Sequence, residues 1–168
     1  MKQSNFKSGC LICGNQIIIQ EKESEHTCSL CHKNFLSSTV CSDGHYICDD
    51  CHTDSHEFIT LLLNTKETDP TKLFCQIENL QSVHMHGPEH HSIIPCVLLT
   101  AYKNCGGNID LLSSLNMALK RGKQAPGGIC GFWGTCGASI GAGIYGSIVT
   151  NSSPLNSKSW YKPQKLVS

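Results

Sequence analysis

The chain has 168 residues, of which 15% are charged, and its 13 Lys and Arg residues balance its 13 Asp and Glu residues. No global charge therefore favours binding to nucleic acid or to an anionic membrane. The unusual feature is the number of metal-binding side chains, 12 Cys and 9 His. Met1 to Ser8 do not resemble a signal peptide, and no apolar run approaches the roughly 18 residues of a membrane span. We expect a cytoplasmic protein with reduced, metal-bound cysteines.

The first part of the chain carries metal ligands arranged as four pairs. Two residues between cysteines let a tight turn direct both sulfurs to one ion. Eight ligands are enough for two tetrahedral zinc sites, and metal binding would supply folding free energy that so small a module cannot gain from its core. We predict a zinc-ribbon or cross-brace module over residues 1–53. Its ligand pairs are Cys10 and Cys13, Cys28 and Cys31, Cys41 and His45, and Cys48 and Cys51.

The pattern leaves two ways of sharing these ligands between the ions. In the sequential arrangement, the first pair joins the second and the third joins the fourth. In the cross-braced arrangement, the first pair joins the third and the second joins the fourth. The segment from Cys41 to Cys51 resembles the centre of a RING-type cross-brace, which favours cross-bracing, although no further C-x2-C pair follows Cys51.

Beyond the module, apolar periodicity predicts a mainly helical domain over residues 54–150, and therefore an α+β chain. The only strand predicted is the apolar Ile17–Ile19. Helix starts are expected near residue 54, at Pro70 after the cap Asp69, at Pro95, at Ile109 after Asn108, and at Cys136 after Thr135. The tail, residues 151–168, is expected to be irregular.

The first candidate for chemistry is a cluster of ligand-type side chains around a Gly–Pro turn. Imidazole and carboxylate groups bind zinc or iron and also serve as general acids and bases. Not all five side chains can bind one ion, and the turn favours His86 with His90 or His91. We predict catalytic roles for His86, Glu89 and His90 and a metal-binding role for His91. The cluster is His84, His86, Glu89, His90 and His91.

The second candidate is a glycine-rich loop that carries Cys130 and Cys136. Cys136 is predicted at a helix N-terminus, where the helix dipole and free N–H groups stabilise a thiolate. We predict that both cysteines are catalytic, and they could form a redox disulfide, or bind a metal or an iron–sulfur cluster. No Gly-Lys-Ser/Thr follows the glycines, so the loop is not a P-loop. The predicted cofactor-binding residues are Gly128, Gly131, Gly134 and Gly137.

The combination of the paired cysteines, the His86-Gly-Pro-Glu-His-His91 motif and the Gly128-x-Cys-Gly-Phe-x-Gly-x-Cys136-Gly-Ala motif resembles an uncharacterised domain family of archaea and anaerobic bacteria. The resemblance covers about residues 8–150. Some members of that family look to be attached to methyltransferase or radical-SAM modules. The resemblance therefore implies such an enzyme as a protein partner, and it implies no established activity.

Residues 96–146 are also similar to the all-helical redox-protein family named for its C–GCAxxG–C–C cysteine pattern. This likeness implies a helical bundle with redox-active or cluster-binding cysteines. Two function hypotheses follow. The first is a protein with two structural zinc ions and a second His/Cys site for metal, iron–sulfur or thiol redox chemistry. The second is a non-catalytic, zinc-dependent accessory protein for a methyltransferase or radical-SAM enzyme.

Overall fold

The computed structural model describes residues 8–52, 56–80, 83 and 87–168. These residues have the predicted α+β character, with one two-stranded antiparallel sheet followed by helices. The helices are α1 (Asp49–His52), α2 (His56–Asn64), α3 (Pro70–Glu78), α4 (His90–Asn104), α5 (Leu111–Gly122), α6 (Ile129–Phe132), α7 (Gly137–Val149) and α8 (Tyr161–Val167).

The sheet is a hairpin of β1 (Ile17–Thr27) and β2 (Asn34–Cys41). Ile17 pairs with Cys41 at one end, and Thr27 pairs with Asn34 at the other. The sequence predicted only the first three residues of β1. The rest of the strand, from Gln20 onward, is polar and mostly exposed, so it lacks the apolar alternation by which a strand is recognised.

Helix α4 lies at the centre of the helical domain, where it packs against α2, α3, α5 and α7. Apolar burial is the main force holding these helices together, because the side chains at their contacts are withdrawn from water almost completely. The core residues that are wholly buried include Leu73, Ile93, Leu99 and Leu115. No residue before Phe58 belongs to this core among those that the structure describes.

The predicted start of α3 is confirmed. The Asp69 carboxylate accepts a hydrogen bond from the backbone N–H of Thr71 at 2.8 Å, and Pro70 occupies the first helical position. The side chain thereby satisfies an N–H group that has no partner inside the helix, and Pro70 has no N–H to leave unpaired.

Two predicted helix starts were wrong, and the tail differs from its prediction. Pro95 lies inside α4, which begins five residues earlier at His90. Helix α5 is capped by Asp110, whose carboxylate accepts from the N–H of Ser113 at 2.8 Å, and not by Asn108. The tail is not irregular throughout, because Tyr161–Val167 form α8 and pack on α7. The assignment of separate domains at residues 53/54 and 150/151 stays a prediction.

Two helices approach α4 closely around Pro95. A proline has no N–H, so the carbonyl of His91, four residues earlier, loses its helical partner. Gly122, at the end of α5, approaches this turn so closely that an added Cβ would lie 2.9 Å from the His91 carbonyl oxygen. On another side, a Cβ on Gly141 of α7 would lie 2.9 Å from Cδ of Pro95. The glycines therefore let two helices pack tightly around the proline turn.

Replacing Asp69 with alanine is expected to lower the free energy of unfolding by about 1 kcal/mol, because α3 loses its cap. Urea unfolding followed by circular dichroism measures the change. Thr68→Ala is the matched control. Thr68 is exposed, and its backbone N–H, which the substitution keeps, donates to the Glu67 carboxylate. Equal losses in the two variants would show that the carboxylate does not stabilise the helix.

Candidate metal centre

The first cysteine pair lies on a tight turn. The backbone N–H of Gly14 donates to the carbonyl of Cys10 at 2.7 Å, and the N–H of Cys10 donates to the carbonyl of Asn15 at 2.8 Å. Gly14 has a φ of 78°, a left-handed conformation that glycine adopts without steric penalty. The turn therefore presents Cys10 and Cys13 from the same side of the backbone.

The second pair repeats this turn with a different residue at its end. The N–H of His32 donates to the carbonyl of Cys28 at 2.9 Å, and the N–H of Cys28 donates to Lys33 at 2.8 Å. His32 takes the place of Gly14 and has a φ of 59°. Left-handed residues other than glycine are uncommon, and histidine is among the types enriched there. Because the two turns share this hydrogen-bond pattern, the second turn also presents its two cysteines from one side of the backbone.

The other four ligands lie at the end of the hairpin and after it. Cys41 ends β2, and its N–H donates to the carbonyl of His45 at 2.9 Å around a turn at Gly44. Cys48 directly precedes α1, and Cys51 lies within that helix. The hairpin therefore begins after the first turn, has the second turn as its loop, and ends at Cys41.

The eight ligands form two groups of four. Within each group the ligand atoms all lie within 4.8 Å of one another, close enough to hold one metal ion. The groups follow the cross-braced arrangement. The first site is Cys10, Cys13, Cys41 and His45, and the second site is Cys28, Cys31, Cys48 and Cys51.

The hairpin gives the physical reason for this pairing. The turn of Cys10 and Cys13 precedes β1, whereas Cys28 follows directly after its last residue. The eleven-residue strand therefore separates the two turns, and the sequential arrangement would require them to meet. The antiparallel return of β2 instead brings Cys41 beside Ile17, at the end near the first turn.

The donor sets and their spacing fit zinc. In a tetrahedral site with Zn–S bonds of about 2.3 Å, neighbouring sulfurs lie about 3.8 Å apart. The Sγ atoms of Cys13 and Cys41 are 3.5 Å apart, and those of Cys31 and Cys48 are 3.7 Å apart. In addition, His45 Nδ1 is buried and has no hydrogen-bond partner among the described residues. A bond to a metal would satisfy this nitrogen.

Backbone N–H groups point at the ligand sulfurs, as expected where thiolates are stabilised. The N–H of Ile12 lies 3.4 Å from Cys10 Sγ, and the N–H of Cys48 lies 3.4 Å from Cys28 Sγ. Burial alone would raise the pKa of Cys28, but backbone hydrogen bonds outweigh it and lower the pKa to about 6. Cys28 therefore favours the deprotonated form that binds metals, whereas burial raises the pKa values of Cys48 and Cys51.

The predicted His/Glu cluster lies only partly in the described residues, since His84 and His86 fall outside them. Glu89 directly precedes α4 and is buried, with 2% of its surface exposed. Its Oε2 lies 3.1 Å from Nδ1 of His52, the residue directly after the ligand Cys51. This His–Glu contact, which is largely shielded from water, therefore links the second candidate metal site to the start of α4. No motif in the sequence indicates this partner for His52.

His90 and His91 point to different neighbours. The ring of His90 lies against Phe74, with 6.2 Å between ring centroids. His91 is buried, and its Nδ1 lies 3.1 Å from the carbonyl oxygen of Ala125. Its Nε2 lies beside Gly137, where an added Cβ would come within 2.7 Å of it. The histidine motif and the glycine-rich loop are therefore in direct contact through His91 and Gly137.

Both cysteines of the loop are exposed. Cys136 is the N-cap residue of α7, close to the position that the sequence predicted, and Cys130 lies in the short helix α6. Of the glycines predicted to bind a cofactor, Gly131 and Gly134 have open space where a side chain would project. Gly128 lies beside Phe132, and His91 covers Gly137.

Cys96 differs from these exposed thiols. It is wholly buried in α4, and burial raises its pKa to about 12, so it behaves as a packing residue. In the part of the chain that the structure describes, no third group of three or more ligands lies close enough to share an ion. The second His/Cys site therefore stays a prediction.

The sequence profile of one family matches residues 58–168, more than half of the chain. It is described as a family of unknown function, DUF5714. The chain belongs to this family. Searches of the curated proteins and of the solved structures give no significant match.

The DUF5714 match confirms the expected membership of a family without a known function, but its limits differ from those of the sequence resemblance. It begins after the eight metal ligands and extends through α8. It therefore includes the His/Glu motif, the glycine-rich loop and the tail that packs on α7. No helix among the described residues of this DUF5714 protein is long and apolar enough to cross a membrane.

Proposed function

We propose that this protein binds two zinc ions, which fold its amino-terminal module, and that its helical domain carries a second, functional site of His and Cys side chains. The observation that carries the first part is the pair of four-ligand groups, one with three Cys and one His and the other with four Cys. These are donor sets of structural zinc sites, which have no open position for a substrate. Thiolates of this kind suit a reducing compartment such as the cytoplasm.

Support for the second site comes from the meeting of two motifs. His91 touches Gly137, the residue after Cys136, so the histidine motif and the cysteine loop adjoin. Glu89, His90 and His91 lie at the beginning of α4, and His86 precedes them by three residues. In this proposal Cys130 and Cys136 act as accessible thiols or as metal or iron–sulfur ligands. His86, Glu89 and His90 supply proton transfer or further ligands.

Anaerobic purification followed by measurement of zinc, iron and sulfide per chain tests both parts. We expect two zinc ions that survive the changes Cys130→Ala and His90→Ala. A second metal or an iron–sulfur cluster should be lost in these two variants. A redox disulfide would instead appear as a reversible two-electron couple that is lost in Cys136→Ala.

Cys105→Ala is the matched control, because Cys105 is also exposed and lies outside both motifs. Fewer than two zinc ions in the intact protein would contradict the structural zinc sites. Two zinc ions with no iron, no metal change in the variants and no thiol couple would contradict the second site.

An accessory role is the second candidate, and the hairpin favours it. Ile17, Ile18, Ile19 and Leu36 are all exposed, and Leu36 keeps 70% of its surface in water. Ile17–Ile19 are consecutive, and exposed apolar side chains that gather on a surface are typical of protein-binding sites. In this version a methyltransferase or radical-SAM enzyme docks on the zinc module.

The two candidates predict opposite mutational effects. If the protein is accessory, Leu36→Ser should weaken binding to such an enzyme while Cys130→Ala leaves the enzyme's activity unchanged. If the second site is functional, Cys130→Ala should abolish the metal, cluster or thiol chemistry of that site. Leu36→Ser should have little effect on this chemistry.

A further inference from the structure

A groove of about 550 Å³ lies beside the glycine-rich loop, between the end of α5, helix α6 and one face of α7. The groove is largely open to solvent, and its volume is in the range of sites that bind small molecules, about 300–1,000 Å³. The apolar part of its lining includes Ile129, Ile140 and Ile144, and its polar part includes Arg121 and Ser147. Trp133 also lines it. Apolar walls with a few polar groups are the usual composition of a ligand site.

Arg121 is the only arginine of the chain, and it is half-buried in this groove. Its Nη1 donates to the Ser147 hydroxyl at 2.9 Å, and that hydroxyl donates onward to the carbonyl of Ser152 at 3.2 Å. Among the residues that the structure describes, the ion pairs involve Glu67 and Glu89, and neither includes Arg121. A guanidinium has five N–H donors, so most of its hydrogen-bonding capacity is unused by the protein.

The position of Arg121 in its helix does not account for this arrangement. A cation in the last turn of α5 is favoured by the helix dipole. Lys120, in the same turn, meets that requirement from an exposed position. The helix dipole does not explain why the Arg121 guanidinium is half-buried beside the apolar side chains of the groove. A planar fork of donors matches a carboxylate or a phosphate, which would neutralise the charge.

Trp133 provides a second and independent feature. It directly follows α6 and lines the groove, and 68% of its surface is exposed. A large indole ring left in water next to a concave site is suited to stack on a flat ligand. Gly134, directly after it, has a φ of 68°, so the loop turns sharply at this point.

We propose that this groove binds a small organic anion. Its carboxylate or phosphate pairs with Arg121, and its flat apolar part lies against Trp133 and the isoleucines. The site requires neither of the two zinc ions and no thiol of the cysteine loop, so it goes beyond the function proposed above. Binding would hold the anion beside the loop that carries Cys130.

Tryptophan fluorescence can test this proposal in the Trp160→Phe variant, where Trp133 is the only tryptophan left. The probes are phenyl phosphate, benzoate and neutral benzyl alcohol. We expect saturable changes with the anions and none with benzyl alcohol, and the tighter of the two anions identifies the preferred group. Arg121→Gln should weaken binding about tenfold or more, because a charged hydrogen-bond partner is lost. Lys120→Gln, the neighbouring exposed change, should leave the affinity unchanged.

Non-saturating signals with both anions, or equal affinities in Arg121→Gln and the parent, would overturn the proposal. Circular dichroism establishes that each variant is folded. If Arg121→Gln does not fold, Trp133→Ala decides, because Trp133 is exposed and its removal should leave the fold intact. Calorimetric titration of that variant with the better anion should show at least a severalfold loss of affinity, and unchanged affinity overturns the proposal.

Discussion

Replacing Cys28 with serine is expected to remove one metal ion per chain and to unfold the amino-terminal module. Cys28 is completely buried, and its sulfur belongs to the four-cysteine site. Structural zinc contributes about 10–16 kcal/mol to the folding of small zinc domains, far more than such a module can lose and stay folded. Native mass spectrometry measures the metal content, and amide NMR signals of residues 8–52 report the fold.

Cys75→Ser is the matched control. Cys75 is exposed on α3 and lies outside both ligand groups, so this variant should keep two ions and dispersed amide signals. In both variants the helical signal of α4, α5 and α7 should persist, because the described apolar core begins at Phe58. A folded, fully metallated Cys28→Ser protein would contradict the assignment of this ligand.

Replacing Gly141 with alanine is expected to destabilise the helical domain. An added Cβ would lie 2.8 Å from Cβ of Ile94 and 2.9 Å from Cδ of Pro95, so α4 and α7 would have to move apart. Overpacking of this kind costs about 1–3 kcal/mol. This cost of overpacking should exceed the gain of about 1 kcal/mol from replacing glycine within a helix. Chemical unfolding measured by circular dichroism gives the net change.

Gly143→Ala provides the matched comparison on the same helix. The nearest atom to its added Cβ would be Cγ1 of Val167 at 3.7 Å, an ordinary van der Waals distance. This variant should therefore gain up to about 1 kcal/mol of stability from the better helix former. Stabilisation by both changes would show that α7 does not pack on α4 as closely as described.

Local signals in the sequence predict the candidate metal ligands and the α3 cap, because both depend on a few neighbouring residues. The choice between sequential and cross-braced sharing depends instead on β1, whose polar residues Gln20–Thr27 give no strand pattern. Once the strand is known to separate Cys13 from Cys28, the cross-braced grouping follows. A resemblance to one segment could favour that grouping but could not establish it.

The misplaced helix ends have a different cause. The sequence predicts Pro95 as a first helical residue, a position that proline favours. In the folded chain the helix runs through Pro95, and Gly122 and Gly141 of neighbouring helices closely approach this turn. In the same way, α8 of the tail packs against α7, where Leu166 and Pro163 lie near Gly146. These contacts join residues far apart in the chain, so no local pattern reports them.

The candidate site in the helical domain was predictable only as a set of motifs. The sequence identified His91 and Gly137 separately, and the structure brings them together across 46 positions of the chain. Two further features had no sequence signal. The contact of His52 with Glu89 joins two segments, and the charge of Arg121 stands out only after the groove around it is known.

The cross-braced metal centre can be tested most directly by NMR of protein in which cadmium-113 replaces the metal ions, since thiolate sites accept this soft ion. Correlation of each cadmium signal with cysteine Hβ protons identifies the ligands of each ion. We predict one ion coupled to Cys10, Cys13 and Cys41, and a second coupled to Cys28, Cys31, Cys48 and Cys51. A single ion coupled to Cys10, Cys13, Cys28 and Cys31 would contradict this account.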